Sequence, residues 1–190
     1  IGYVGDARPD KGFNEVVKII ESNDIDNVNF LIQANPPAGG RYNKSILHSI
    51  EILKKLEQSK SNLIVKWKSM SESEYADFIN EIDVILLLYT RNAGIISGIL
   101  LEAWEYGKPV ITLNGSWVSR MVNEFGGGIT IESPGSFKVK EAIEIISKNY
   151  DFYSKQAIKA AEVWFSQNNK DKFSEVVSNI LKTRNLQVKE

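Results

Sequence analysis

The chain has 190 residues, with 23 Lys and Arg against 24 Asp and Glu, and no cysteine. This excludes a disulfide framework, a thiolate metal site and a cysteine nucleophile, and the net charge of −1 lacks the basic excess of a general nucleic-acid binder. Apolar residues at 43% suffice for a buried core, while the longest apolar stretch, Val84 to Tyr89, covers about a third of a membrane span.

The chain opens directly in an apolar run, Ile1-Gly2-Tyr3-Val4-Gly5, with no charged leader before it. A start in mid-strand leads us to expect a piece of a longer protein. Runs with the length and apolar character of buried strands predict strands over Ile1–Gly5, Val28–Ala34, Asn62–Lys66, Asp83–Tyr89, Pro109–Asn114 and Gly128–Glu132. Helical periodicity predicts helices between them: Gly12–Ser22, Lys44–Ser59, Ser73–Glu81, Gly98–Tyr106 and Trp117–Phe125. Ser71 and Glu74 have the spacing of a capping box. After Glu132 three helical stretches follow, Phe137–Asn149, Tyr150–Gln167 and Lys170–Arg184. Such alternation predicts an α/β fold, a Rossmann-like doubly wound parallel sheet of about six strands with C-terminal helices. We expect a single domain over 1–190. Its helices beyond residue 150, with Phe152, Ile158, Trp164 and Phe165, face either the sheet or a partner domain.

Ligands of open α/β sheets sit at the carboxyl ends of the strands, so the residues after each strand matter most. After the first strand, Gly5-Asp6-Ala7-Arg8-Pro9-Asp10-Lys11-Gly12 leads two cations into a helix start. It suits a phosphate, and it equally suits a plain turn with solvated charges. After the fourth strand, Arg91-Asn92-Ala93-Gly94 precedes Ser97 and Gly98, small residues opening a helix in which Glu102 lies one turn further on. An anion at the Ser97 and Gly98 amides, with Glu102 accepting from a polyol, is one use of that pattern. Simple solvation of Glu102 is the other. His48, the one histidine, reads as an ordinary helix residue, and the Gly126-Gly127-Gly128 run as a flexible approach to the last strand.

Taken together, Gly5…Lys11-Gly12 and the run Leu100-Leu101-Glu102-Ala103-Trp104-Glu105-Tyr106-Gly107-Lys108-Pro109-Val110-Ile111 resemble the C-terminal domain of a GT-B glycosyltransferase. The likeness is to the large retaining family 4 group, and the order of elements matches from Ile1 to about Ile146. The resemblance implies that Arg8 and Lys11 hold the diphosphate of a nucleoside diphosphate sugar and are its catalytic cations. It implies that Gly5, Ser97 and Gly98 border that diphosphate, that Glu102 binds the ribose, and that Trp67 and Lys68 lie near the base. It further implies an acceptor domain N-terminal to this chain and no metal or other cofactor. The family's first glutamate is missing, because Gly94 stands eight positions before Glu102. The Ser97-Gly98 pair at the helix start resembles a divergent branch of the same group, and Arg91 or Asn92 is the expected substitute contact to the sugar. The other readings kept open are a catalytically silent nucleotide-sugar-binding or protein-interaction module and, further off, a sugar-nucleotide epimerase. A phospho-receiver domain fails, since Lys108-Pro109 precedes its strand and the third strand ends in Lys66-Trp67-Lys68. The expected location is cytoplasmic, with no nucleic acid or direct membrane attachment.

Overall fold

Short aliphatic runs pair side by side into one sheet with the order β3-β2-β1-β4-β5-β6. The strands are β1 (Gly2–Asp6), β2 (Phe30–Asn35), β3 (Leu63–Lys66), β4 (Ile85–Leu87), β5 (Val110–Leu113) and β6 (Gly128–Ile131). Every pairing between them is parallel. The helices are α1 (Phe13–Ser22), α2 (Lys44–Ser59), α3 (Glu72–Asn80), α4 (Gly98–Glu105), α5 (Trp117–Phe125), α6 (Ser136–Lys148) and α7 (Tyr150–Gln167). The computed structural model describes residues 1–36, 44–90, 96–176 and 178.

The two-residue period of a strand divides the core in two. Tyr3, Ile32, Leu86 and Ile111 point to one face and pack with α1, α2 and α6. Their neighbours Val4, Leu31, Ile85 and Val110 point to the other and pack with α3, α4, α5 and α7. Burial on both faces is why these strands read as unbroken apolar runs rather than as alternating ones. The doubly wound sheet and its helices therefore stand as expected, and the ranges of α2, α5 and α7 coincide with the sequence pattern. The fourth strand is shorter than Asp83–Tyr89, because the Tyr89 amide turns back to donate to Leu87 O at 2.8 Å and ends the ladder. Of the expected helix over Lys170–Arg184, residues 170–176 are helical and most of the remainder lies outside the described residues.

Strand order reverses between β1 and β4, which opens a crevice at their carboxyl ends. Gly12 brings the β1–α1 turn against that point. It has φ +75°, and a Cβ there would lie 2.1 Å from Leu88 O. The Asp10 carbonyl accepts from Thr90 N–H at 3.1 Å, a second tie between the same two segments.

The glycines before β6 correct the sequence reading. They form a packed crossing rather than a flexible approach. Gly127 has φ +72°, and a Cβ on it would meet Trp104 Nε1 at 2.6 Å and Ala157 Cα at 2.8 Å. The fully buried Trp104 indole donates to Gly127 O at 3.1 Å. Helix α7 turns Ala157, Ala160 and Ala161 inward. Trp164 meets Trp117 and Phe125 edge-on, whereas Phe152, Ile158 and Phe165 are exposed.

Gly12→Ala and Gly127→Ala should each cost at least about 2 kcal/mol, from the left-handed backbone and the blocked Cβ. In thermal melting that is a drop of roughly 4–8 °C. Gly135 has ordinary φ and open space around it, so Gly135→Ser at the α6 N-cap should shift stability by no more than about 0.5 kcal/mol. Burial is the leading cause that raises the phenols of Tyr3, Tyr75, Tyr89 and Tyr150. A raised folded value means stability that is present below the ordinary tyrosine value and lost as pH climbs past it. Melting temperatures should therefore fall above about pH 10. Glu74 moves the other way. The Ser71 backbone amide, then the Ser71 hydroxyl and Lys68, lower it to about 2. Its contribution holds above the ordinary value of 4.5 and fades as pH falls toward 2, a component that Glu74→Gln should remove from melts run between those limits.

Candidate functional site

The carboxyl ends of β1, β2 and β3 surround a hollow of about 550 Å³, bordered by Asp6, Arg8, Asn35, Trp67, Lys68 and Ser69. A second hollow of about 480 Å³ lies between α3 and α4, bordered by Met70, Ser71, Tyr75, Glu102 and Tyr106. The segment 67–72 after β3 supplies a wall to both.

Gly5, Lys11 and the first turn of α4 come together. A Cβ on Gly5 would lie 3.4 Å from Lys11 Nζ and 3.1 Å from Ile99 Cδ1. The ammonium thus rests over the end of β1 beside the opening of α4. Among the described residues, Lys11 forms no ion pair. Ser97 caps α4, its hydroxyl accepting from Leu100 N–H at 3.3 Å and sharing a hydrogen bond of 3.1 Å with Tyr89. Ser97 is buried and Gly98 exposed, so the N-terminal amides open outward at Gly98, where a helix has no internal acceptors for them. Glu102 is partly buried one turn on. Its Oε1 lies 3.9 Å from the Cβ position of Gly98, and its Oε2 accepts from the Tyr75 hydroxyl at 2.5 Å.

Arg8 stands differently from the free cation that the sequence suggested. Asp10 holds its guanidinium in a fork, Nε to Oδ1 at 3.0 Å and the terminal nitrogen to Oδ2 at 2.5 Å. That hydrogen bond is the main cause raising its already high pKa. Lys68 is likewise occupied, with Nζ 3.3 Å from Glu74 Oε1. The Trp67 indole donates to Glu57 of α2 at 3.2 Å, and its ring lies partly buried under Lys54. Arg91, Asn92 and Gly94 lie outside the described residues. His48 is an exposed residue of α2, as its sequence context suggested. Among the described residues no three His, Asp or Glu side chains gather as metal ligands, and no helix is long and apolar enough to cross a membrane.

Sequence reasoning missed Gln33, Asp10 and Tyr75. Gln33 is buried in β2. Its Oε1 accepts from Gly5 N–H at 3.0 Å and its Nε2 donates to Asn35 Oδ1 at 2.9 Å and to Lys68 O at 3.0 Å, joining the exits of the first three strands. A lone amide inside an apolar strand was its available signal. For Tyr75 the signal was its place directly after the capping box, in the first turns of a helix that starts at the same end of the sheet.

No protein-family model and no curated protein matches this chain. Solved structures do match it in fold. The Anabaena protein HepE in complex with UDP superposes with a TM-score of 0.73 at 12% identity, over 96% of this chain and 48% of that one. Sucrose-phosphate synthase from Thermosynechococcus elongatus has a TM-score of 0.72 at 14% identity, over 100% of this chain and 45% of that one. The C-terminal domain of a glycosyl transferase group 1 family protein from Francisella tularensis has a TM-score of 0.65 at 15% identity, over 87% of this chain and 84% of that domain. The chain therefore spans about half the length of the first two and 84% of an isolated C-terminal domain. Its fold is that of the C-terminal, Rossmann-like half of GT-B glycosyltransferases.

Proposed function

We propose that this chain is the donor-binding half of a glycosyltransferase that moves a sugar from a nucleoside diphosphate sugar to an acceptor, in glycan or polysaccharide biosynthesis. The observation that carries the reading is the meeting of Gly5, Lys11 and the opening of α4 at the β1–β4 crevice, with Glu102 one turn along that helix. In this reading Lys11 and the Ser97 and Gly98 amides hold the diphosphate, and Glu102 accepts from the ribose hydroxyls. Trp67 and Lys68 border the base, and Arg91 or Asn92 the sugar. When the bond from the anomeric carbon to the diphosphate oxygen breaks, its electron pair stays on the diphosphate. In this reading Lys11 and the Ser97 and Gly98 amides stabilise the charge left on that diphosphate. Arg8 joins them by exchanging the Asp10 carboxylate for phosphate oxygens, which offer the same forked geometry. With those cations in place the reading requires no metal. The acceptor and the base that takes its proton belong to a further, N-terminal domain. The support for this is that the chain matches about half of the longer proteins.

A second reading, a silent nucleotide-sugar-binding or protein-interaction module of the same fold, is favoured by Gly94 at the place of the family's first glutamate and by the neutralised Arg8.

The complexes of HepE with UDP and with UDP-glucose make UDP the first ligand to try. Calorimetric titration with UDP, GDP and ADP should show saturable binding of one of them. Lys11→Ala should weaken it about tenfold or more, as loss of a charged hydrogen bond does. No binding to any of the three would leave the protein-interaction module as the better reading. Supplied with the matching donor sugar, the chain alone should show no glycosyl transfer. Appreciable turnover would overturn the assignment of the acceptor base to another domain.

A further inference from the structure

Glu102 is held in place. The Tyr75 hydroxyl donates to its Oε2, so that oxygen is engaged, while Oε1 is the one lying by Gly98. Tyr75 is in turn set by the start of α3. Ser71 and Glu74 cap that helix reciprocally, and the Tyr75 amide donates to Ser71 O at 2.9 Å. Lys68 pairs with Glu74, tying the wall of the first hollow to the same helix start. Burial and the neighbouring carboxylate raise the Tyr75 phenol far above its ordinary value, so it remains a donor throughout the neutral range.

A glutamate on a helix surface rotates about three side-chain bonds, and fixing it for a ligand costs up to about 2 kcal/mol. A phenol-to-carboxylate bond is of the strong, charge-assisted kind and settles that geometry before the ligand arrives. An acceptor fixed in this way also penalises a ligand that lacks the matching hydroxyl, because the acceptor is then left unpaired.

We infer that Tyr75 is a positioning residue that sets the sugar selectivity of the nucleotide site: it holds Glu102 so that Oε1 accepts from the ribose hydroxyls, and so distinguishes ribonucleoside from 2′-deoxyribonucleoside diphosphates. The inference rests on the donor-site reading above.

The test measures dissociation constants of UDP, GDP and ADP and of their 2′-deoxy counterparts on the 190-residue chain, on Tyr75→Phe, on Glu102→Ala and on the double variant. The chain should prefer the ribo form of its nucleotide about tenfold, the size of one good hydrogen bond. Tyr75→Phe keeps the ring, so it should melt within a few degrees of the parent. It should bring that preference close to one, with affinity for the deoxy form unchanged. Glu102→Ala should abolish the preference, and adding Tyr75→Phe to it should change nothing further. A Tyr75→Phe variant that keeps the preference, or that weakens both forms equally, overturns the inference while leaving the donor site standing. Failure of the parent chain to bind any ribonucleoside diphosphate overturns the donor-site reading, and the inference with it.

Discussion

The crevice of this protein depends on a backbone approach that only glycine permits. At Gly12 the turn leaving β1 lies against the carbonyl of Leu88, just past the end of β4, at a distance where any side chain would collide. That contact draws together two segments more than seventy residues apart at the one place where the strand order reverses. Lys11, immediately before the glycine, is thereby delivered beside the opening of α4. Move the turn outward by the width of a methyl group, and the ammonium leaves its place over Gly5. The same device recurs at the far side of the sheet, where Gly127 admits the Trp104 indole and seats α4 against α7. The helix bearing Glu102 is thus fixed from behind as well as from the crevice.

Charge in the crevice is conditional. Arg8 is matched by Asp10 and Lys68 by Glu74 of α3, whereas Lys11 forms no ion pair among the described residues. In the donor-site reading proposed above, an incoming diphosphate competes with Asp10 for Arg8 and meets Lys11 directly. In that reading, selectivity rests on where a few donors and acceptors are held more than on total charge. Gln33 serves that geometry by linking the exits of β1, β2 and β3 through one buried amide.

Much of this was legible in the linear pattern. Strands buried on both faces announce themselves as apolar runs, and α2, α5 and α7 follow their periodicity to the residue. The capping box at Ser71 and Glu74 forms as its spacing suggested, because both hydrogen bonds are local. The apolar pattern failed where hydrogen bonds and close packing outside its period decided the outcome. Tyr89 continues the apolar run of β4, yet its amide turns back and its hydroxyl goes to Ser97. Three successive glycines suggest slack, and instead they mark a crossing between α4, α7 and β5 that is too tight for a Cβ.

By itself the sequence determined the doubly wound class, the two-sided core and the end of the sheet at which ligands belong, because hydrophobic period and element order govern all three. Its resemblance to a known family also brought forward Lys11, Gly98 and Glu102 as candidates. Only the tertiary structure decided that Arg8 is spoken for by Asp10, that Gln33 binds three loops together and that Glu102 leans on Tyr75. The first of these pairs spans two residues and the last spans 27, and neither is implied by residue type alone. Which carboxylate a cation meets, and which hydroxyl a carboxylate receives, follows from how the loops are packed over the strand ends. That packing is a property of the folded chain as a whole.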